Sequence, residues 1–141
     1  MTKKSIFISF DYENDKDYKF LLNALSANDL FEISFNDKLT SKIKTSEIPA
    51  VKAGLTKKIN TTEYTLCIIG KYANSWNIDY IEIGYKNWIN FELAQSKKNG
   101  NKLIAIKINP SFVSPQEILN SEIIWAKNLT VESIIKAILE A

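Results

Sequence analysis

Short apolar runs alternate with amphipathic stretches along the whole chain, and this alternation limits the fold more than any other feature. Ser5-Ile6-Phe7-Ile8-Ser9-Phe10 is β-branched and aromatic and reads as a strand. Tyr18, Leu21, Leu22 and Leu25 follow at i, i+3, i+4, i+7, the spacing of one helix face. A second strand is expected over 30–35 (LFEISF). A second helix is carried by Ile48, Val51, Leu55 and Ile59, with Ser46 as its cap and Pro49 in its first turn. Residues 63–69 (EYTLCII) form a nearly continuous apolar run, as in a strand buried on both faces. A helix over about 87–99 ends at Asn99-Gly100, and a strand over 103–108 stops at Asn109-Pro110. Residues 115–120 read as one helical turn and 122–125 as a short edge strand. Thr130 then caps a last helix with Val131, Ile134, Ile135, Ile138 and Leu139 inward. Strands alternating with helices mean a parallel sheet covered on both faces, here a small doubly wound fold of four or five strands. The length of 141 residues suits a single domain, 1–141.

Such a fold binds ligands at the carboxyl ends of its strands, near the point where strand order reverses. The loops that matter are therefore 11–15, 36–46, 70–86 and the stretch after 108. The turn after the first strand, Asp11-Tyr12-Glu13-Asn14, has no glycine, and no GxxxxGK[ST] sequence occurs. Both facts argue against a backbone cradle for phosphate. A phosphoacceptor receiver is disfavoured because the third strand ends at Gly70 rather than at an aspartate.

Composition narrows the chemistry further. All 18 basic residues are lysines, and there is no histidine. A histidine base, a histidine metal ligand, a Ser–His–Asp triad and an arginine finger are all excluded. The lone Cys67 lies within the apolar third strand, where a buried, unreactive thiol is the expectation. The net charge of +2 does not suit a nucleic-acid binder, and the pairs Lys57-Lys58 and Lys97-Lys98 read as solvated helix faces. No run approaches the ~18 apolar residues of a membrane span. The opening Met-Thr-Lys-Lys precedes too short an apolar run for a signal sequence, so a cytoplasmic protein without membrane contacts is expected.

The sharpest local feature is Trp88-Ile89-Asn90-Phe91-Glu92, which opens the helix after the aromatic stretch 71–86. Trp88 and Glu92 are i, i+4 and share a face. An aromatic wall can desolvate a carboxylate and raise its pKa, or form one side of a slot for a flat ring.

With these residues the chain resembles the bacterial TIR-like domain of the Thoeris antiphage ThsB type. The resemblance runs in order over residues 3–108: FISF and its acidic loop, the third strand ending near Gly70, N-W-I-N-F-E-L-A, then K-N-G-N-K-L-I-A-I. Trp88, Glu92, Gly100, Asn101 and Lys102 stand at the family's spacings. Residues 77–87 read as an insertion, and an alternative alignment takes Trp76 and Glu82 as the motif pair. The helix length from Glu92 to Gly100-Asn101-Lys102 favours the first.

The resemblance implies a TIR-like, flavodoxin-like fold and an enzyme that cleaves the nicotinamide–ribose bond of NAD⁺. NAD⁺ would be a substrate, with no cofactor and no metal. The product would be a cyclic or conjugated ADP-ribose signal that activates a separate effector protein in antiphage defence. Glu92 would be the catalytic residue. Ser9, Phe10, Asp11, Asn36, Asp37 and Trp88 are its candidate substrate-binding neighbours. Phe10 reads equally as core and Asp11 as a helix cap. Asn36, Asp37 and Lys38 belong to a second loop that in TIR folds closes over substrate or mediates stacking. Trp76 and Tyr80 either line the slot or pack the insertion. A plain NAD⁺ hydrolase and a non-catalytic interaction module are the rival readings, and a homo-oligomer is left open.

Overall fold

The central apolar runs become strands because helices bury them on both faces. The computed structural model describes residues 3–11, 19–36 and 44–141. Its strands are β1 (Lys4–Ser9), β2 (Phe31–Phe35), β3 (Tyr64–Ile69), β4 (Lys102–Lys107) and β5 (Ile123–Trp125). They form a five-stranded sheet in the order β2-β1-β3-β4-β5, and every pairing in it is parallel. This is the flavodoxin-like order, with its switch point between β1 and β3. β3 lies at the centre and is buried at all six positions, which accounts for its unbroken apolar sequence.

The two faces are told apart by strand parity. Ile6, Ile8, Leu66, Ile68, Ile104 and Ile106 point to one side. There they pack with Leu21, Leu22 and Leu25 of α1 (Lys19–Ser26) and with Ile134 and Ile138 of α5 (Val131–Glu140). Phe7 points to the other side, onto Ile48, Leu55 and Ile59 of α2 (Ile48–Asn60). Cys67, Ile69 and Ala105 meet Ile89 and Leu93 of α4 (Trp88–Lys98) on that same side. Alternation then puts Ser9 and Thr65, two and zero positions from Phe7 in register, under α2 and α4.

Three local readings change. Ser46 is not a helix cap: Thr45–Glu47 form a 3-10 turn, and the Ile48 N–H is satisfied by the Thr45 carbonyl rather than by a side chain. Leu139 is half exposed, because Ile134, Ala137 and Ile138 complete the inward stripe of α5. The segment 77–87 contains a one-turn helix, α3 (Tyr80–Ile83), ended by Gly84 at φ +83°, a left-handed conformation that glycine adopts without strain. Residues 12–15 of the first loop, and Tyr18, lie outside the described residues.

The start of α4 is fixed by asparagines. The Asn87 side-chain oxygen accepts from the Asn90 backbone N–H at 2.9 Å, which caps the helix. Its amide donates to the carbonyls of Ala73 and Ser75, both at 2.9 Å, tying the loop after β3 to the same point. Asn90, fully buried, donates to Asn74 at 3.3 Å and accepts from the Glu117 N–H at 3.0 Å. Asn87→Ala removes the cap and orphans two carbonyls. It is expected to cost about 2 kcal/mol in urea unfolding, against about 1 kcal/mol for Thr130→Ala, which removes only the α5 cap.

Candidate functional site

The site is assembled at the carboxyl ends of β1 and β2 by the register of the sheet. Ile8 lies opposite Phe35 on one side and Leu66 on the other. All three side chains belong to the α1–α5 core, so the next residue along, Ser9 or Asn36, turns to the α4 side. Glu92 comes down on them from α4, one turn into the helix. Ser9 Oγ donates to Glu92 Oε1 at 2.7 Å, and the Asn36 amide donates to Oε2 at 3.4 Å. Both carboxyl oxygens therefore have a donor, which is what a carboxyl with 2% exposure requires.

Burial dominates the electrostatics. Loss of water pushes the Glu92 carboxyl up to about 8, against the opposing pull of the Ser9 and Asn36 hydrogen bonds and of the Lys58 charge. Lys58 reaches in from α2, half buried, and donates to the Phe35 carbonyl at 3.1 Å, beside Asn36. At neutral pH the carboxyl is thus mainly protonated, and a further cation placed against it would favour its ionised form.

The remaining candidates divide. Phe10 is buried in the α1–α5 core with its ring 6.3 Å from that of Phe35, on the face away from α4. Asp11 is half buried just past the end of β1. Trp88 is buried against Phe7, Ile48 and Phe91, with its ring edge-on to Phe91 at 5.7 Å. It packs α4 onto α2. Asp37 and Lys38 lie outside the described residues. Glu82 of the alternative alignment is exposed on α3, and Trp76 is exposed too, with Tyr80 edge-on at 5.1 Å. Of the two acids only Glu92 is in a desolvated site. Lys58 is not on a solvated helix face as its lysine pair suggests, but reaches β2 with its ammonium on the Phe35 carbonyl. Among the described residues no group of His, Cys, Asp and Glu could hold a metal ion, and no helix is long and apolar enough to cross a membrane.

The raised Glu92 pKa has a stability consequence of definite sign. The folded state keeps a proton that the unfolded chain releases above about 4.5, the ordinary glutamate value. The stabilisation is complete below that pH and is lost as pH rises towards about 8. Urea unfolding of Glu92→Gln, compared with the parent across this range, should favour the variant increasingly with pH, on the order of a few kcal/mol by the upper end. A pH-independent difference would contradict the buried, protonated carboxyl.

The family model for the Thoeris protein ThsB, TIR-like domain, matches residues 7–111. No curated protein matches the chain. Among solved structures, a prokaryotic SEFIR domain superposes with a TM-score of 0.55 at 16% identity, over 98% of this chain and 95% of that one. A 2-deoxyribosyltransferase from the psychrotolerant bacterium Bacillus psychrosaccharolyticus superposes with a TM-score of 0.51 at 15% identity, over 78% and 77% of the two chains. These likenesses are of fold. The matched span holds the end of β1, the Ser9–Asn36–Glu92 cluster and all of α4, and on that match the chain belongs to the TIR-like domain family of the Thoeris protein ThsB.

Proposed function

We propose that this domain cleaves the nicotinamide–ribose bond of NAD⁺, with Glu92 as the catalytic residue, and that it releases a cyclic or conjugated ADP-ribose. The product would act as a diffusible signal to a separate effector in antiphage defence. The observation that carries this reading is the buried Glu92 carboxyl, held from both sides by Ser9 and Asn36 at the carboxyl ends of β1 and β2.

The chemistry suits the residues at hand. Breaking an N-glycosidic bond develops positive charge on the ribose, and a fixed carboxylate is complementary to that charge. Nicotinamide leaves as a neutral ring, so no strong general acid is needed, in keeping with a chain that lacks histidine. NAD⁺ itself brings a positive pyridinium. Set against Glu92, it favours loss of the carboxyl proton, so substrate binding would generate the anion that the transition state needs. Ser9 and Asn36 then stabilise that anion, each as a hydrogen-bond donor. In water the same anion would be screened; in a closed, apolar surround its field on the ribose is stronger.

A second reading, a non-catalytic module acting through contacts, draws on the exposed apolar side chains of Trp76, Ile78, Tyr80 and Ile81. Incubation with NAD⁺ and chromatographic resolution of products separates the two. Turnover is expected, with a cyclic ADP-ribose isomer supporting signal production and linear ADP-ribose supporting plain hydrolysis. Glu92→Gln should lower the rate by roughly a hundredfold or more, while Glu82→Gln leaves it unchanged. Full activity of Glu92→Gln would sink the assignment.

A further inference from the structure

The Asn101 of the K-N-G-N-K stretch lies at the opposite end of α4 from the helix start and touches nothing at the strand-end site, yet a continuous line of hydrogen bonds joins it to Glu92. Its amide donates to Thr65 Oγ1 at 3.1 Å and to Thr62 Oγ1 at 2.9 Å. Thr65 Oγ1 donates to Ser96 Oγ at 2.7 Å, and Ser96 Oγ donates to the backbone carbonyl of Glu92 at 2.8 Å. Asn99 holds Asn101 from the other side, donating to its Oδ1 at 2.7 Å. Thr65 and Ser96 are fully buried, and Thr62 and Asn101 nearly so.

From this we infer that Thr65, Ser96 and Asn101 are positioning residues for Glu92, fixing the height and rotation of α4 over the sheet so that its carboxyl meets Ser9 and Asn36. The inference rests on the reading of Glu92 as the catalytic residue. The physical reason is directional. Apolar contacts such as Leu93 on Cys67 tolerate small slides of a helix along a sheet, but a hydroxyl hydrogen bond weakens steeply with displacement. Ser96 and Glu92 are one turn apart on α4, and they dock on neighbouring strands, Ser96 on β3 through Thr65 and Glu92 on β1 through Ser9. Two polar clamps a turn apart remove both translation and roll. Each hydroxyl in the line accepts one bond and donates the next, so the chain is polarised towards the Glu92 carbonyl, and each member strengthens its neighbour. A fully apolar Thr65–Ser96 contact would serve stability as well; the hydroxyl line serves placement.

Thr65→Val is the informative variant, because it keeps volume and strand preference, removes only the hydroxyl, and does not touch Glu92. Thr65→Ser restores the hydroxyl. Two readouts are needed. The first is the titration of the Glu92 carboxyl carbon by NMR, assigned by its absence in Glu92→Gln. The second is the kcat and KM for NAD⁺. For Thr65→Val and Ser96→Ala, the Glu92 midpoint should move down towards the ordinary glutamate range as water reaches the carboxyl, and kcat should fall roughly tenfold with KM little changed. Thr65→Ser should recover both. Ile134→Val, in the core of the opposite face, should lower the melting temperature without moving either readout. If Thr65→Val and Ser96→Ala lower the melting temperature while the Glu92 midpoint stays at its parent value, the line is only structural and the inference is overturned. The titration is read on the folded protein whether or not NAD⁺ is turned over, so a failure of the proposed activity is distinguished from a failure of the positioning role.

Discussion

A carboxyl group removed from water must be met by donors, and the layout of this domain follows from meeting that need for Glu92. The helix α4 has to lie where Ser9 and Asn36 reach both carboxyl oxygens. That in turn needs β1 and β2 to end in register, with Ile8 opposite Phe35, so that the next residues turn to the same side. An unmet carboxyl in this position would be penalised by its full desolvation, well above the net worth of an ordinary hydrogen bond. The asparagine cluster at the start of α4 and the hydroxyl line at its end hold the helix at both extremities, and the acid sits between them.

The lack of histidine and arginine acquires a physical sense in this setting. With neither residue in the chain, the acid-base character of the site rests on a single carboxyl, kept dry and mainly protonated by burial. Lys58 is kept at the rim on the Phe35 carbonyl, near enough to favour the anion but outweighed by burial. The nearly unbroken apolar β3 serves the site indirectly. As the central strand it supplies Thr65 to one clamp and, through Cys67, the apolar floor for Leu93 of α4.

Much of the fold was legible because hydrophobic period and burial are linked position by position. The strands over 5–10, 30–35, 63–69 and 103–108, the edge strand near 123 and the helix capped by Thr130 all lie within a residue or two of the structure. Ser46 misled because a 3-10 turn can satisfy helix N–H groups with carbonyls, leaving a serine without a capping task. In the site, Ser9 and Asn36 were visible as residues at strand ends, and both reach Glu92. Phe10 was grouped with them by adjacency, but strand alternation turns it to the other face. Lys58 was passed over because a lysine in a charged pair looks the same in sequence whether its stem is solvated or laid along a helix groove.

The order of residues alone determined the doubly wound class, the place of the candidate site at the strand ends and the absence of histidine chemistry, because these depend on period, spacing and composition. It favoured Glu92 over Glu82 by the helix length to Gly100-Asn101-Lys102, but carried nothing about the surroundings of either acid. The tertiary structure separates them by their surroundings. One is exposed on a single helical turn, and the other is enclosed where three elements meet. Desolvation, which decides the protonation of a carboxyl, is a property of the surroundings that packing supplies and no local sequence contains.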